Sequence, residues 1–428
     1  MTDNIDKIKV YRVGQDPIYL DPGQIVFVDR TRMEIDCKWK RFVEYELDGL
    51  GFVPAGRNEH LVIGAAVHEG MDLLLQGGRL EKAMEVARLE YLNAPPWPES
   101  WPQERKDLLS NDSMFMVYAF LYAFNDIYLP KLLDEYDVME VEEETNWLLY
   151  GDPELSQFRI VVMSRLDSVL RRKETGRLWH VSHKTHGRAF DQTQLDKLKP
   201  DIQRFSEGYA IWAKYGEAPE GTLYNYFLKG STYFDKEFDC DRYTTGLIRP
   251  WLNRLAMGES EITPEMISFV HEWDELDEKS MTIKGRRLGK GWEKVNIYDE
   301  MDYTTYLEWL SKQMVARESR NYLAESVVGM VQVPWNVNHA ERWRIGTANN
   351  ERDWAWKTNL VGRFQGEVTG PYHMAQEFPL NSGSCFDYNK KCPLFSDCWE
   401  DEGLDSLKEK GHIVPRTPNH LVELRKIT

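Results

Sequence analysis

The stretch that most restricts the fold is RLDSVLRRKETGRLWHVSHKTHG, Arg165 to Gly187. Val161, Val162 and Met163 lead into Arg165-Leu166-Asp167, and the chain reverses at Lys173-Glu174-Thr175-Gly176. It runs out again as Leu178-Trp179-His180-Val181-Ser182-His183-Lys184. Apolar runs on either side of a charged, glycine-containing turn make two adjacent strands. Strand side chains alternate faces, so His180, Ser182 and Lys184 share one face beside the strand that carries Asp167. An acid and a lysine on neighbouring strands are the raw material of a site for a metal ion and a phosphate.

The flanking periods fit an α/β fold. Glu140, Glu142 and Glu144 alternate with Met139, Val141 and Glu143, which predicts a strand from Val138. Residues 156–171 and 177–184 follow as strands, then a helix from Asp201 to Gly216 and a fourth strand over Thr222–Leu228. A mixed central sheet flanked by helices is the simplest architecture for that order. Upstream, Ile18–Leu20 and Ile25–Val28 are strand-like. RTRMEIDCKWKRFVEYELDGLGF predicts an amphipathic helix that includes Cys37 and ends near Gly49 and Gly51. A helix carrying His68 ends at Gly77-Gly78, a second covers 80–92, and a long aromatic-rich one covers 105–133. A lone helical histidine such as His68 is more often a satisfied core or surface residue than a ligand.

Composition narrows the classes. With 428 residues the chain can hold two or three subdomains, and its formal charge of −17 argues against coating nucleic acid by bulk electrostatics. A local basic groove remains compatible, and the loop IKGRRLGKGW offers Lys284, Arg286, Arg287 and Lys290 for DNA contact or simply for solvation. No stretch approaches the ~20 apolar residues of a membrane span. MTDNIDKIKVYRVGQDP lacks the apolar core of a signal peptide, so a cytoplasmic location without membrane contact is expected.

Cys385, Cys392 and Cys398 lie close together in a Gly/Asn/Pro-rich loop, with Cys37 the obvious fourth ligand and Cys240 a bystander. Zinc sites usually show paired short spacings, whereas these longer gaps, with Pro393 after the middle cysteine, suit an iron–sulfur cluster better. Zinc and unrelated cysteines stay open. Either metal would tie the N-terminal helix to the C-terminal loop.

Together these pieces resemble the RecB-like branch of the PD-(D/E)XK nucleases that carry an iron–sulfur cluster, a group with CRISPR-associated, AddB-type and phage members. The matching segments are DCKWKRFVEYELDGLG, GAAVHEG, SRLDSVL, WHVSHKTHG, DIQRFSEGYAIWA and CFDYNKKCPLFSDC, which frame nearly the whole chain. The resemblance implies a restriction-endonuclease-like core with helical insertions and a C-terminal cysteine-cluster loop. It implies a 4Fe-4S cluster on Cys37, Cys385, Cys392 and Cys398, and Mg²⁺ or Mn²⁺ on His68, Asp167 and the carbonyl of His183. Lys184 would act on the attacking water or the scissile phosphate, and Gln203 and Tyr209 fall in the following motif helix. Their Gln-x5-Tyr spacing is longer than the family's interval. The implied organisation is an N-terminal helical region (1–135), the nuclease sheet (136–228), a mostly helical insertion (229–335) and a C-terminal helical region (336–428).

One position departs from the family. Where acid-x-Lys belongs, this chain has Ser182-His183-Lys184. Serine is a poor substitute for a carboxylate on Mg²⁺. Either Glu142 or Glu144 fills the gap, or the protein cuts slowly or only within a complex, or it has lost catalysis. The expected function is thus a metal-dependent DNA nuclease, an exonuclease on ends or single strands in recombination, repair or phage DNA metabolism. The alternative is an impaired nuclease fold that binds DNA or scaffolds a larger protein complex.

Overall fold

Strand β6 (Arg159–Arg172) sets the architecture because its residues from Arg159 to Leu170 are all buried except Arg165. A strand buried on both faces must be central and covered by helices on both sides. A computed structural model shows that arrangement and describes residues 7–47, 51–151, 159–186, 196–228, 232–235, 240–243, 282–283, 286–287, 328–364, 385, 392–399 and 404–417. Within them the chain is a mixed α/β protein with a mixed central sheet.

The N-terminal part supplies β1 (Ile8–Arg12), β2 (Gln15–Leu20) and β3 (Ile25–Asp29), then α1 (Arg30–Glu34), α2 (Lys38–Tyr45) and β4 (Phe52–Pro54). The single helix predicted around Cys37 is two helices. Asp29 caps α1 through the Arg32 N–H, Ile35 leaves the helix in extended backbone, and Cys37 is the N-cap of α2. Helices α3 (Glu59–Leu75) and α4 (Leu80–Asn93) follow the sequence reading closely. Helix α3 ends as predicted at the double glycine: Gly77 is left-handed (φ 82°), its N–H reaches Leu74 O, and the Gly78 N–H reaches Leu73 O.

The long helix predicted over 105–133 is α5 (Gln103–Ala123) and α6 (Leu129–Glu135), joined by a π turn over Phe124–Tyr128. Pro130 explains the turn, because it cannot donate to the carbonyl one turn earlier.

Next come β5 (Tyr136–Tyr150), β6, β7 (Leu178–His186), α7 (Ile202–Tyr215) and β8 (Gly221–Leu228). Strands β5, β6 and β7 are antiparallel neighbours, and β7–α7–β8 is a parallel crossover. Beyond β8 lie the hairpin β9 (Thr232–Asp235) and β10 (Cys240–Tyr243), and the short pair β11 (Thr282–Ile283) and β12 (Arg286–Arg287). The described residues of the segment predicted as a helical lobe are therefore strands. Strand β13 (Val328–Pro334), placed by sequence at the end of that lobe, pairs with β8 and belongs to the main sheet. Helix α8 (Val337–Phe364), α9 (Phe395–Trp399), α10 (Leu404–Glu409) and β14 (Ile413–Pro415) complete the chain. Residues 288–327 of that predicted helical insertion lie outside the described residues.

The sheet order is β13-β8-β7-β6-β5-β1-β2, with β3 also paired to β6. Helices α3, α4 and α5 bury Ile63, Val67, Met71, Phe120 and Phe124 against Val181, Leu223 and Phe227. On the other face α7 and α8 bury Phe205, Tyr209, Ala340 and Ala348 against Trp147, Val162 and Leu166. A third core joins the chain ends: Val43, Leu394, Leu407 and Ile413 pack together, and β14 pairs with β4. Among the described residues no helix is long and apolar enough to cross a membrane.

Candidate metal and phosphate site

The sheet itself opens a place for a site. Along one edge, β6 pairs with β3 over Arg159–Met163 and with β7 over Ser168–Arg171. Between those stretches β3 and β7 diverge, and Asp167 stands where pairing stops. Its Oδ2 accepts the His183 N–H at 2.7 Å, taking a bond that a continued ladder would have used. Burial works against ionisation of Asp167, but His68 and the His183 N–H outweigh it and hold the carboxyl below the usual range.

Two further groups converge on Asp167. His68 from α3 places Nδ1 3.7 Å from Asp167 Oδ1. Glu142 stands beside Asp167 on β5, between the paired residues Val141–Ser168 and Glu143–Leu166. One ligand atom from each of His68, Glu142 and Asp167 lies within 4.8 Å of the others. Glu142, not Glu144, is thus the second carboxylate at this point. It has φ 52°, the one positive φ outside glycine among the described residues. Such backbone strain costs about 1–3 kcal/mol and persists where surrounding structure imposes it. Arg165 Nε pairs with Glu142 Oε2 from the exposed side.

Asp72 adds a third acid that sequence reasoning missed. It is 5% exposed, sits one helical turn after His68 and lies beside Glu142. Burial, with the charges of Glu142 and Asp167, pushes its pKa up to about 9. Burial also raises Glu142, with Arg165 opposing. Its signal was the His-x3-Asp spacing on one helix face, hidden because Leu and Val surround it. Three acids and a histidine in one buried place are costly without a cation or shared protons. The donor set, all oxygen apart from one imidazole, suits a hard divalent cation.

His183 turns its ring toward His68 and Phe124, with centroids 5.5 and 5.9 Å away. Burial pushes this imidazole down to about 3, so it is neutral at ordinary pH. Its carbonyl remains the part that the sequence reading assigned to the metal.

The neighbouring face of β7 is different. His180 Nε2 lies 2.8 Å from Glu207 Oε2 on α7, and Lys184 Nζ donates to Gln203 Oε1. Gln203 Nε2 in turn donates to Glu207 Oε1 at 2.8 Å. Ser182 alternates with these residues, fully buried, and its hydroxyl has no hydrogen-bond partner among the described residues. The structure therefore groups Ser182 with the α7-facing residues and the His183 ring with His68.

Tyr209 does not join Gln203. Six positions on a helix turn it to another side, where its hydroxyl donates to Glu341 Oε1 at 2.6 Å and its ring stacks on Trp147. It locks α7 to α8 and β5. Lys284 and Lys290 lie outside the described residues. Arg286 and Arg287 are placed only as the backbone of β12, paired with Ile283 and Thr282.

Cys392 and Cys398 lie against the core around Val43, but among the described residues no three cysteine sulfurs lie within 4.8 Å of one another. Cys392 and Cys398 pack beside Val43 and Trp39, and the Cys392 N–H donates to Cys385 O at 2.8 Å. Burial pushes the Cys392 thiol up, and Cys37 and Cys385 lie close enough to add to that while Lys40 opposes it. Soft sulfur donors are chemically suited to zinc or an iron–sulfur group.

No family model and no curated protein matches this chain. Fold and site define a mixed α/β protein with a histidine–carboxylate constellation beside the interior strand β6, where its pairing is interrupted.

Proposed function

We propose that the protein is a metal-dependent DNA nuclease with a PD-(D/E)XK-type core. The observation that carries this reading is the convergence of His68, Glu142 and Asp167 beside the gap in β6. Glu142 supplies the carboxylate that the Ser182 position lacks. A Mg²⁺ or Mn²⁺ ion held there would polarise a phosphate and acidify water. The residues do the rest. Asp167 is kept ionised and fixed by the His183 N–H, so it needs no reorganisation to act as a ligand. Asp72 and Glu142 would give up retained protons when a cation arrives. Lys184 supplies fixed positive charge where a phosphodiester transition state gains negative charge. DNA ends or single strands are the proposed substrate.

A 4Fe-4S cluster on Cys37, Cys385, Cys392 and Cys398 belongs to the same proposal. It would fasten the α2 region to the C-terminal segment around Leu394 and Leu407. The test is anaerobic purification, then incubation with end-labelled single- and double-stranded DNA and Mn²⁺ or Mg²⁺. Cleavage that disappears in Asp167→Ala and Glu142→Ala supports the reading. A wild type that never cleaves, but binds DNA, supports instead a DNA-binding or scaffold subunit, the reading that Ser182 favours.

A further inference from the structure

We infer that Arg30 is a second phosphate-binding group, acting as a pair with Lys184 on the α7-facing side of the site. The inference rests on the nuclease reading and adds a residue to it. Arg30 Nη1 and Lys184 Nζ both donate to one neutral atom, Gln203 Oε1. Two cations that share a single amide oxygen repel each other and receive only a partial dipole in return. A phosphate oxygen in the same position would satisfy both with full charge, and an arginine fork matches phosphate geometry.

The two cations come from separate elements. Arg30 is the first residue of α1, immediately after β3, and Lys184 stands near the end of β7. These are the strands whose divergence leaves Asp167 outside the sheet's pairing. The Arg30 side chain is 42% exposed, so a ligand can reach it. Desolvation opposes its charge, but Glu207, Glu34, Asp201 and Asp167 together keep the guanidinium firmly protonated. Glu34, 3.8 Å from Arg30 Nε, restrains the side chain from behind without occupying Nη1. Gln203 itself is 6% exposed and fixed by its bond to Glu207, so its oxygen is a rigid marker of where the cations converge. The ligand is thus a backbone phosphate of the DNA next to the one being cut, or that phosphate itself.

Binding of a fluorescent single-stranded oligonucleotide in Ca²⁺, measured across a salt series, tests this without cleavage. Each phosphate contact contributes about 0.7 to the slope of log affinity against log salt for single strands. Arg30→Gln should flatten the slope by about that amount and weaken binding several-fold at low salt. Arg30→Lys should keep the slope, and Arg30→Gln with Lys184→Gln should flatten it about twice as far. Circular dichroism melts confirm that each variant folds. An Arg30→Gln slope equal to the wild type's overturns the inference and leaves the nuclease reading standing. A wild type that does not bind the oligonucleotide at all overturns both.

Discussion

At the residue scale, Ser182 and Glu142 decide how the site works. Ser182 is fully buried on the face turned to α7, so an acid there would be an unpaired buried charge. Ser182→Asp should therefore not raise cleavage, and should destabilise the fold by about 1–3 kcal/mol in urea unfolding. A large gain in cleavage would mean that Glu142 is not the second ligand. Asp72 gives a pH signature in the metal-free protein. Its folded pKa, raised to about 9, lies above the ordinary 3.8, so it stabilises the fold at low pH. That contribution is lost as pH rises through the interval between the two values. Asp72→Asn should remove this slope, raise metal-free thermal stability at pH 8, and reduce the stabilisation gained on adding Mn²⁺. Thermal melts with and without Mn²⁺ across pH 5–9 read all three effects.

At the element scale, close approach of helices explains how α3 presents His68 and Asp72 together. A Cβ on Gly70 would lie 2.6 Å from both Leu121 methyl carbons and 3.2 Å from the Ala83 carbonyl, so glycine lets α3 approach α5 and α4 closely. Gly70→Ala should cost about 1–3 kcal/mol and weaken Mn²⁺ binding by displacing α3. A second joint is the buried pair Arg41–Glu351, with Nη1 to Oε1 at 2.9 Å, linking α2 to α8. Glu351→Ala leaves Arg41 uncompensated and should cost about 3–5 kcal/mol in denaturant unfolding. Much of this scale was legible in sequence. The alternation around Asp167 and Lys184, the double glycine after α3 and the aromatic helix all have local periods or stop signals. The break before Cys37 and the faces of Gln203 and Tyr209 were not legible. The former depends on a cap by Asp29, and the latter on which helix packs against α7. Glu142 was legible only as one of two alternating candidates, because a local period does not show its φ of 52° or its place beside Asp167.

At the scale of the whole molecule, the region of α2 and β4 meets β14 and its neighbours, while the site lies beside β6 where its pairing is interrupted. Asp72, Arg30 and β13 join the core over long sequence separations, which no local pattern encodes. β4 pairs with β14, and Cys392 and Cys398 pack against the Val43 core, apart from the His68–Glu142–Asp167 group. Cys37→Ser or Cys392→Ser should lose bound iron and lower thermal stability, with iron quantification and absorbance near 400 nm as readouts (roughly where iron–sulfur clusters absorb). Unchanged metal content, or zinc in place of iron, would contradict the cluster. The measurement that bears most directly on the central claim is cleavage of end-labelled DNA in Mn²⁺ by wild type, Glu142→Gln and Ser182→Asp side by side. The expected result is cleavage by wild type, loss of at least about 100-fold in Glu142→Gln, in line with removal of a group needed to stabilise transition-state charge, and no gain in Ser182→Asp. Equal rates for wild type and Glu142→Gln, or no cleavage by the wild type, would contradict it.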